Sequence, residues 1–347
     1  MKSVKCLLNA EIRKILLVRT DRMGDTFSAT PAIRAVRKHF PGARIDILVS
    51  ELGIAVARAN PYLDGVFQMK RRNPLSWLAL LFCLRRQGYD ALICFNGGSS
   101  KAAFFARWVK AGVKCGISSK KYVPIFDYVF AGSSAKTYVK MQLDFLAAMG
   151  IASDGEHLDF VAPAETLAHA EKEYPRVPDM PRLAMCIGNA RKIHSRWLPE
   201  KFALLAKRLL EAERDAGFPV PEIWIVYGKD EKRLLPHFTD PRLKFFSAPL
   251  ADTAAFLRTC DAMITSSSGP WHLAAAVGIP TLSVISKHNH EFWKPAGAIH
   301  QAVLPETDTK DVRGVPVEPV QAMVEDFLRK LRERAGISAV DHAEEQA

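Results

Sequence analysis

The fold is decided by residues 14–50, KILLVRTDRMGDTFSATPAIRAVRKHFPGARIDILVS. Ile15–Val18 is an unbroken apolar run, which is typical of a strand buried on both faces of a parallel sheet. Apolar residues at helical spacing follow, then a proline-glycine stop and a second strand, Ile45–Val49. This pattern predicts a strand–helix–strand unit. Gly24 and Asp25 follow the first strand, at the edge where open α/β sheets bind their ligands.

The length and charge of the chain limit its class. At 347 residues the chain is too long for one ordinary core, so two domains are expected. Lys and Arg outnumber Asp and Glu by 48 to 37, a formal net charge of +11. That excess favours an anionic partner such as a phosphorylated sugar, a nucleotide or an acidic membrane. No nucleic-acid-binding motif accompanies the charge, so nucleic acid is not an expected partner.

The cysteines and the apolar runs indicate a cytoplasmic protein. The 6 cysteines are scattered, with no C-x-x-C pair, which is typical of a reduced chain without a metal cluster. No signal-peptide pattern is present at the N-terminus. The longest apolar run, near Trp77–Leu84, is too short to span a bilayer.

A cluster of prolines between residues 155 and 181 predicts a linker between two domains. A second series of strands and helices begins at Leu183. The sequence therefore predicts two α/β domains. The predicted limits are 1–175 and 176–317 for the two domains, 318–336 for a final helix and 337–347 for a mobile acidic tail.

The helix predicted over Leu75–Gln87 has two interpretations. Most residues of Trp77–Leu84 are apolar, and they lie between the basic clusters Lys70–Arg72 and Arg85–Arg86. Such a helix could lie in the head-group region of a membrane. The alternating strand–helix pattern favours a helix packed on the sheet instead. The membrane interpretation stays open.

Three blocks of sequence carry a resemblance that covers most of the chain. They are R-x-x-x-x-G-D with T-P-A-I-R-A from Arg19, R-W-L-P-E from Arg196, and S-G-P-W-H-L-A-A from Ser268. Together they resemble glycosyltransferase family 9, the bacterial heptosyltransferases of lipopolysaccharide core assembly. The resemblance implies the glycosyltransferase-B fold, with two Rossmann-like doubly wound domains facing a cleft. It also implies that helix 318–336 crosses back to the N-terminal domain.

In the first half, the resemblance implies that Asp25 is the general base of an inverting transfer. The position suits this role, because a helix start favours a negative charge and Gly24 lets a substrate approach the backbone. The alternative is that Asp25 only caps the helix. Arg19, Gly24, Lys120 and Lys121 are assigned to the acceptor side, where the two lysines either bind acceptor phosphates or are solvated surface charge.

In the second half, a strand runs into Ser267, Ser268 and Gly269, and a helix follows. Unpaired backbone N–H groups at such a helix start form an anion site. The resemblance implies that this turn, with His272, holds the diphosphate of the donor, although the aspartate of the family is Ser267 here. The alternative is an ordinary capped helix with His272 packed in a core.

The other donor block departs from the family at one position. Arg196 matches, but Ser195 stands where the family has a lysine that contacts phosphate. Lys192 is the first predicted substitute and Arg196 the second. Glu231 matches an acid of the family near the nucleoside, and a solvated loop acid is the alternative.

The resemblance therefore implies an inverting glycosyltransferase that moves a heptose or related sugar from an ADP-linked donor. The expected acceptor is the lipopolysaccharide core or another anionic surface glycolipid, with peripheral contact to the inner membrane. No cofactor and no metal site are expected, since the chain has no D-x-D motif and cations must then replace Mg²⁺. The alternative is a non-catalytic sugar-nucleotide- or glycan-binding relative, which the changes at Ser195 and Ser267 favour and Asp25 opposes. Motifs of nicotinamide dehydrogenases and serine hydrolases are absent.

Overall fold

The structure is a computed structural model, and its residues form two compact units. It describes residues 12–117, 120–188, 193–212 and 220–344, with the backbone alone described at 120–122 and 335–344. The first unit runs through Val161 and includes Glu291–Ala296. The second unit holds Ala162–His290 and the residues from Gly297 onward.

The first unit is a six-stranded parallel sheet with its connecting helices. Its strands are β1 (Lys14–Arg19), β2 (Arg44–Ser50), β3 (Gly65–Met69), β4 (Tyr89–Cys94), β5 (Ala111–Ile117) and β6 (Tyr128–Phe130). Its helices are α1 (Met23–Ser28), α2 (Thr30–His39), α3 (Ile54–Arg58), α4 (Leu75–Arg86), α5 (Ser100–Trp108) and α6 (Tyr138–Ala148), with a 3₁₀ helix at Lys120–Ile125. The strand order is β3-β2-β1-β4-β5-β6, so the order reverses between β1 and β4.

The second unit repeats this architecture. Its strands are β7 (Arg182–Cys186), β8 (Glu222–Val226), β9 (Lys244–Phe246), β10 (Ala262–Ser266), β11 (Thr281–Val284) and β12 (His300–Val303). Its helices are α7 (Ala164–Glu173), α8 (Pro199–Glu211), α9 (Leu250–Leu257), α10 (Gly269–Ala276), α11 (Lys287–Trp293, whose last three residues belong to the first unit) and α12 (Glu318–Glu344), with 3₁₀ helices at Ile193–Ser195 and Lys229–His237. The parallel order β12-β11-β10-β7-β8-β9 reverses between β10 and β7.

Strand β1 shows why the opening segment forms the centre of a sheet. Its four apolar residues are fully buried, and they alternate between two core clusters on opposite faces. Ile15 and Leu17 belong to one cluster, whereas Leu16 and Val18 belong to the other. A strand covered on both faces has no polar side, which explains the unbroken apolar run. The predicted α/β class with two Rossmann-like domains is confirmed.

Two boundaries differ from the predicted limits. Helix α7 lies before the predicted boundary at 175, but it packs on α9 and belongs to the second unit. Helix α12 continues to Glu344, well past residue 336. Val320 and Val324 of α12 lie in the core of the second unit, and the crossing of this helix to the first domain stays a prediction.

Strand β5 lies in a basic segment, with Lys110 and Lys114, for which the sequence analysis predicts no strand. Its buried residues Val113 and Cys115 alternate with the half-buried Lys114. The pattern has period two, but small and charged residues obscure it. The extended conformation of β5 is instead set by its backbone pairing with β4.

Helix α4 packs on the sheet, as the favoured interpretation predicted. Leu84 is fully buried, and Trp77, Leu80 and Leu81 pack against the same core cluster. Among the described helices, none combines the length and the apolar character needed to cross a bilayer.

A buried arginine holds α2 to the segment after α6. The Nε atom of Arg34 donates to Asp154 Oδ1 at 2.8 Å, and its Nη1 donates to the His157 carbonyl at 3.1 Å and pairs with Asp159. Lys38, one turn further along α2, pairs with the same Asp154 but is exposed. The two cations therefore share a partner and differ in burial.

We expect Arg34→Met to destabilise the first unit by about 3 kcal/mol, because it leaves a partly buried carboxylate without its cation. Lys38→Met is the matched control, since an exposed pair contributes less than about 1 kcal/mol. Urea unfolding followed by circular dichroism measures both. Equal losses for the two variants would show that burial of Arg34 does not decide its contribution.

Candidate functional site

In the first unit, the carboxyl ends of β1 and β4 lie where the strand order reverses. Arg19, the last residue of β1, is buried there with 1% exposure. Its Nη1 donates to the Phe95 carbonyl at 3.1 Å, and its Nε donates to the Asp25 carbonyl at 3.0 Å. Arg19 therefore ties the residue after β4 to α1, at the edge where α/β sheets bind ligands.

Two carboxylates share this arginine. Nη2 of Arg19 lies 3.3 Å from Asp25 Oδ1, and Nη1 lies 3.7 Å from Asp21 Oδ2. The other oxygen of Asp25 accepts a bond from the Arg22 N–H at 3.0 Å, which caps α1. Asp25 thus performs the capping role of the alternative interpretation. Its side chain remains 19% exposed, and its role as a base stays a prediction.

Asp21 was missed by the sequence analysis. Burial raises the pKa of its carboxyl above the usual value, while the charge of Arg19 acts to lower that pKa and the charge of Asp25 to raise it. The available signal was its position two residues after the end of a buried strand, close to a second acid. Two acids beside one buried cation, one of them with a shifted pKa, are typical of a functional site.

A cavity of about 410 Å³ is lined by Arg19 and Asp21 but not by Asp25. Its polar lining includes Arg19, Asp21, Asn96 and Ser99, and Tyr138 supplies an aromatic face. Tyr138 stacks on Trp293 with 4.4 Å between ring centroids, which fixes the ring. A pocket with a few polar groups and an aromatic wall suits a sugar ring.

The predicted acceptor-side residues have different outcomes. Arg19 lines the cavity, whereas Gly24 lies in α1 directly before Asp25 and is absent from the lining. The side chains of Lys120 and Lys121 lie outside the described residues. Their role stays a prediction.

In the second unit, the strand order reverses between β7 and β10, and Ser266 ends β10. The hydroxyl of Ser266 accepts a bond from the Trp197 N–H at 3.0 Å. The Trp197 indole is fully buried and donates to the Val315 carbonyl at 2.9 Å. This anchor holds Arg196, the preceding residue, near the carboxyl end of β10.

Hydrogen-bond donors without partners gather at this end of β10. The Arg196 side chain is 8% exposed, and its Nε and Nη1 have no hydrogen-bond partner among the described residues. The buried hydroxyl of Ser268, the residue before α10, also lacks a partner in the described part of the chain. Buried donors are rarely left unpaired, because each costs about 1–3 kcal/mol. Helix α10 begins at Gly269, and a helix start directs backbone N–H groups outward, so this end of β10 suits an anion.

The remaining donor-side residues are placed as follows. Ser267 lies half-buried in the turn before α10. His272 is buried in α10, with its ring centroid 5.3 Å from that of Trp271, and its role in holding the diphosphate stays a prediction. Lys192 and its neighbour Arg191 lie outside the described residues, so the first predicted substitute for the missing lysine stays a prediction.

Glu231 is not a solvated loop acid. It is buried, and its Oε2 accepts a bond from the Gly228 N–H at 3.1 Å at the start of a 3₁₀ helix. A Cβ atom added to Gly188 would lie 3.6 Å from the Glu231 carboxyl carbon. Glu231 therefore lies beside the second residue after β7, close to the reversal point of the sheet.

Known proteins resemble the chain over most of its length. The family model described as "Glycosyltransferase family 9 (heptosyltransferase)" matches residues 77–318. Lipopolysaccharide heptosyltransferase 3 of Escherichia coli is 21% identical over 291 residues, which cover 78% of this chain and 83% of the relative.

Two solved structures share the fold. The glycosyl transferase family 9 protein of Veillonella parvula superposes with a TM-score of 0.79 at 18% identity, covering 93% of this chain and 99% of that one. The ADP-heptose lipopolysaccharide heptosyltransferase II of E. coli superposes with a TM-score of 0.73 at 15% identity, covering 92% of this chain and 99% of that one. These likenesses confirm the glycosyltransferase-B class of fold.

We expect Arg196→Met to weaken ADP binding about tenfold or more, because hydrogen bonds to a charged group contribute about 1.5–3 kcal/mol. The thermal midpoint of the ligand-free protein should stay the same or rise, since the substitution removes a buried guanidinium whose Nε and Nη1 lack a partner among the described residues. Calorimetric titration with ADP and a thermal melt measure the two effects.

Arg258→Met, at an exposed position after α9, is the control and should leave ADP affinity unchanged. Unaltered ADP affinity in Arg196→Met would remove Arg196 from the anion site. A large loss of thermal stability would instead assign Arg196 a structural role.

Proposed function

The chain belongs to glycosyltransferase family 9, and we propose that it transfers a heptose or related sugar from an ADP-linked donor. The proposed acceptor is the lipopolysaccharide core or another anionic surface glycolipid, reached at the membrane surface. The similarity to a heptosyltransferase named for ADP-heptose supports the donor class. The observation that carries the proposal is the buried side chain of Arg196, whose Nε and Nη1 have no hydrogen-bond partner among the described residues. The backbone of the next residue, Trp197, is bound to Ser266 at the end of β10, three residues before α10 begins.

The proposed chemistry is a single displacement with inversion. A hydroxyl oxygen of the acceptor forms the new bond to the anomeric carbon, while the bond from that carbon to the diphosphate oxygen breaks. The Asp25 carboxylate takes the hydroxyl proton as the bond forms. Contacts with Arg19 and the Arg22 N–H hold this carboxylate in one orientation, which spares part of the entropy of alignment.

The diphosphate that leaves carries additional negative charge, and the second unit supplies the groups to stabilise it. Arg196 would donate two N–H groups, and the start of α10 would donate backbone N–H groups with the Ser268 hydroxyl. Ser195 supplies no charge. We propose that Lys192 or Arg196 replaces the lysine that the family has at that position.

On the acceptor side, we propose that the cavity of the first unit binds a sugar of the acceptor. Asp21 and Asn96 can bond hydroxyl groups, and Tyr138 adds aromatic surface to the lining. The cation in the cavity, Arg19, is already paired with two carboxylates. Acceptor phosphates therefore need other cations, and Lys120 and Lys121 are the proposed ones.

The second candidate function is a non-catalytic sugar-nucleotide- or glycan-binding relative. One observation favours it, because both oxygens of the Asp25 carboxylate already accept hydrogen bonds within the protein. The two candidates differ in turnover and agree in donor binding. A donor-hydrolysis or transfer assay on the wild-type protein therefore separates them.

We expect Asp25→Asn to lower the turnover of sugar transfer by about two orders of magnitude or more, because the amide cannot take the hydroxyl proton. The amide oxygen can still cap α1, so donor affinity should change little. Transfer assays with ADP-heptose and calorimetric titration with ADP measure the two quantities. Asp326→Asn, an exposed acid of α12, is the control. Near-normal turnover in Asp25→Asn would remove Asp25 from the mechanism.

We also expect transfer to need no divalent metal, since the sequence has no D-x-D motif and Arg196 can stabilise the diphosphate in place of a cation. Turnover should persist after metal stripping and in excess chelator. Loss of turnover that Mg²⁺ or Mn²⁺ restores would contradict this expectation.

A further inference from the structure

Helix α4 exposes an apolar stripe on the side away from the core. Leu75, Leu78 and Phe82 are 82%, 62% and 63% exposed, and Ala79 and Cys83 are exposed beside them. This spacing places the five side chains on one face of the helix. We call these five residues the α4 stripe. A surface helix normally carries polar side chains on this face, so the stripe requires a separate explanation.

Basic residues lie at both ends of the α4 stripe. Arg72 precedes the helix and Arg86 ends it, and both are exposed. The guanidinium carbon of Arg86 lies 5.5 Å from the Phe82 ring centroid. Arg85 of α4 also donates to the Trp108 carbonyl at 2.8 Å, which brings the end of α5 beside the stripe.

The end of α5 repeats the same chemistry. Trp108 is exposed, and the Arg107 guanidinium carbon lies 5.7 Å from its ring centroid. An indole beside a guanidinium is typical of a side-chain pair at a membrane interface, where the ring meets the head groups and the cation meets lipid phosphate.

Acidic residues are almost absent from this region. Between residues 65 and 126 the sequence has eleven lysines and arginines and a single acid, Asp90. The Asp90 carboxylate is already engaged, because it accepts bonds from the Arg13 and Lys14 N–H groups at 2.8 Å. Within this stretch of the sequence the charge is therefore almost entirely positive, and from outside it the Glu51 carboxylate accepts a bond from the Arg71 N–H at 2.8 Å.

We propose that the α4 stripe, with Arg72, Arg86, Arg107 and Trp108, docks on the surface of an anionic lipid bilayer. The apolar side chains enter the head-group boundary and the guanidinium groups bind lipid phosphates. The docking rests on α4 and α5 alone. Docking would bring the first unit to a lipid-linked acceptor, and this purpose rests on the proposed function.

Charge complementarity favours a bilayer over a second copy of the chain. A symmetric contact through the stripe would place like-charged arginines against each other. The arginines also lie exposed around a convex helix, so they do not form an enclosed site for a free phosphate. A lipid surface offers many phosphates and an apolar layer at once.

The test measures binding of the full-length protein to vesicles of phosphatidylethanolamine and phosphatidylglycerol by co-sedimentation. Leu78→Gln with Phe82→Gln should weaken binding about tenfold or more, because the exposed apolar area that enters the bilayer is lost. Arg72→Gln with Arg86→Gln should weaken it about tenfold on these vesicles. The arginine variant should bind neutral phosphatidylcholine vesicles as the wild type does.

The matched control is Leu204→Gln with Phe245→Gln. It removes a leucine and a phenylalanine that are 41% and 42% exposed in the second unit, and it should bind vesicles as the wild type does. A second measurement uses the exposed Cys83 of the stripe, since the other described cysteines are buried. An environment-sensitive dye on Cys83, in a Cys6→Ser background, should shift to the blue when anionic vesicles are added.

The proposal is overturned if the wild-type protein does not bind anionic vesicles, or if the stripe variant binds them as strongly as the control. It is also overturned if sedimentation shows a dimer that the stripe variant dissociates, since the stripe is then an interface between copies. A protein partner that competes with vesicles for the unmodified stripe, and binds it more tightly, would equally replace the lipid. Vesicle binding needs no turnover, so docking and sugar transfer can fail separately.

Discussion

The candidate site of the first unit depends on the burial of one charge, the Arg19 guanidinium at the end of β1. Removing such a group from water costs several kcal/mol unless partners replace the lost hydration. The partners come from two places, the Phe95 carbonyl after β4 and the carbonyl and carboxylate of Asp25 in α1. The need to satisfy one cation therefore brings the loops after two strands together. It also sets the direction of the Asp25 carboxylate.

The second unit positions its candidate site through a neutral side chain and not through a buried charge. Its candidate site is held by the neutral Trp197, whose indole is fully buried and whose backbone N–H donates to the Ser266 hydroxyl. The adjacent Arg196 is also buried, but two of its nitrogen atoms have no partner among the described residues. An arginine whose N–H groups all have partners within the protein orients those partners. An arginine with N–H groups left unpaired is available to bind an anion. The two side chains carry the same charge. Their proposed roles differ because Arg19 has hydrogen-bond partners within the protein and Arg196 lacks them on two nitrogen atoms.

Helix α4 shows that packing and exposure are separate properties of one apolar segment. Its inner face, with Leu84, packs on the sheet. Its outer face, with Leu78 and Phe82, stays in water. Burial of the inner face already stabilises the helix, so the fold does not require apolar residues on the outer face. The two sequence interpretations of this segment are therefore compatible, and each describes one side of the same helix.

Local patterns in the sequence were enough to determine the α/β class, the two domains and the blocks that carry Asp25, Arg196 and Ser268. These features depend on residues that are close together in the sequence, such as the apolar run of β1, so the sequence alone shows them. Strand β5 was missed because its apolar period is masked by Lys114, and only pairing with β4 reveals it. Only the tertiary structure showed which arginine has hydrogen-bond partners within the protein. It also showed that Asp21 belongs to the site and that Glu231 is buried. The physical reason is distance along the chain, because Arg19 meets Phe95 across 76 positions and Trp197 meets Ser266 across 69. No periodicity in the sequence encodes which hydrogen-bond partners folding brings to a buried group.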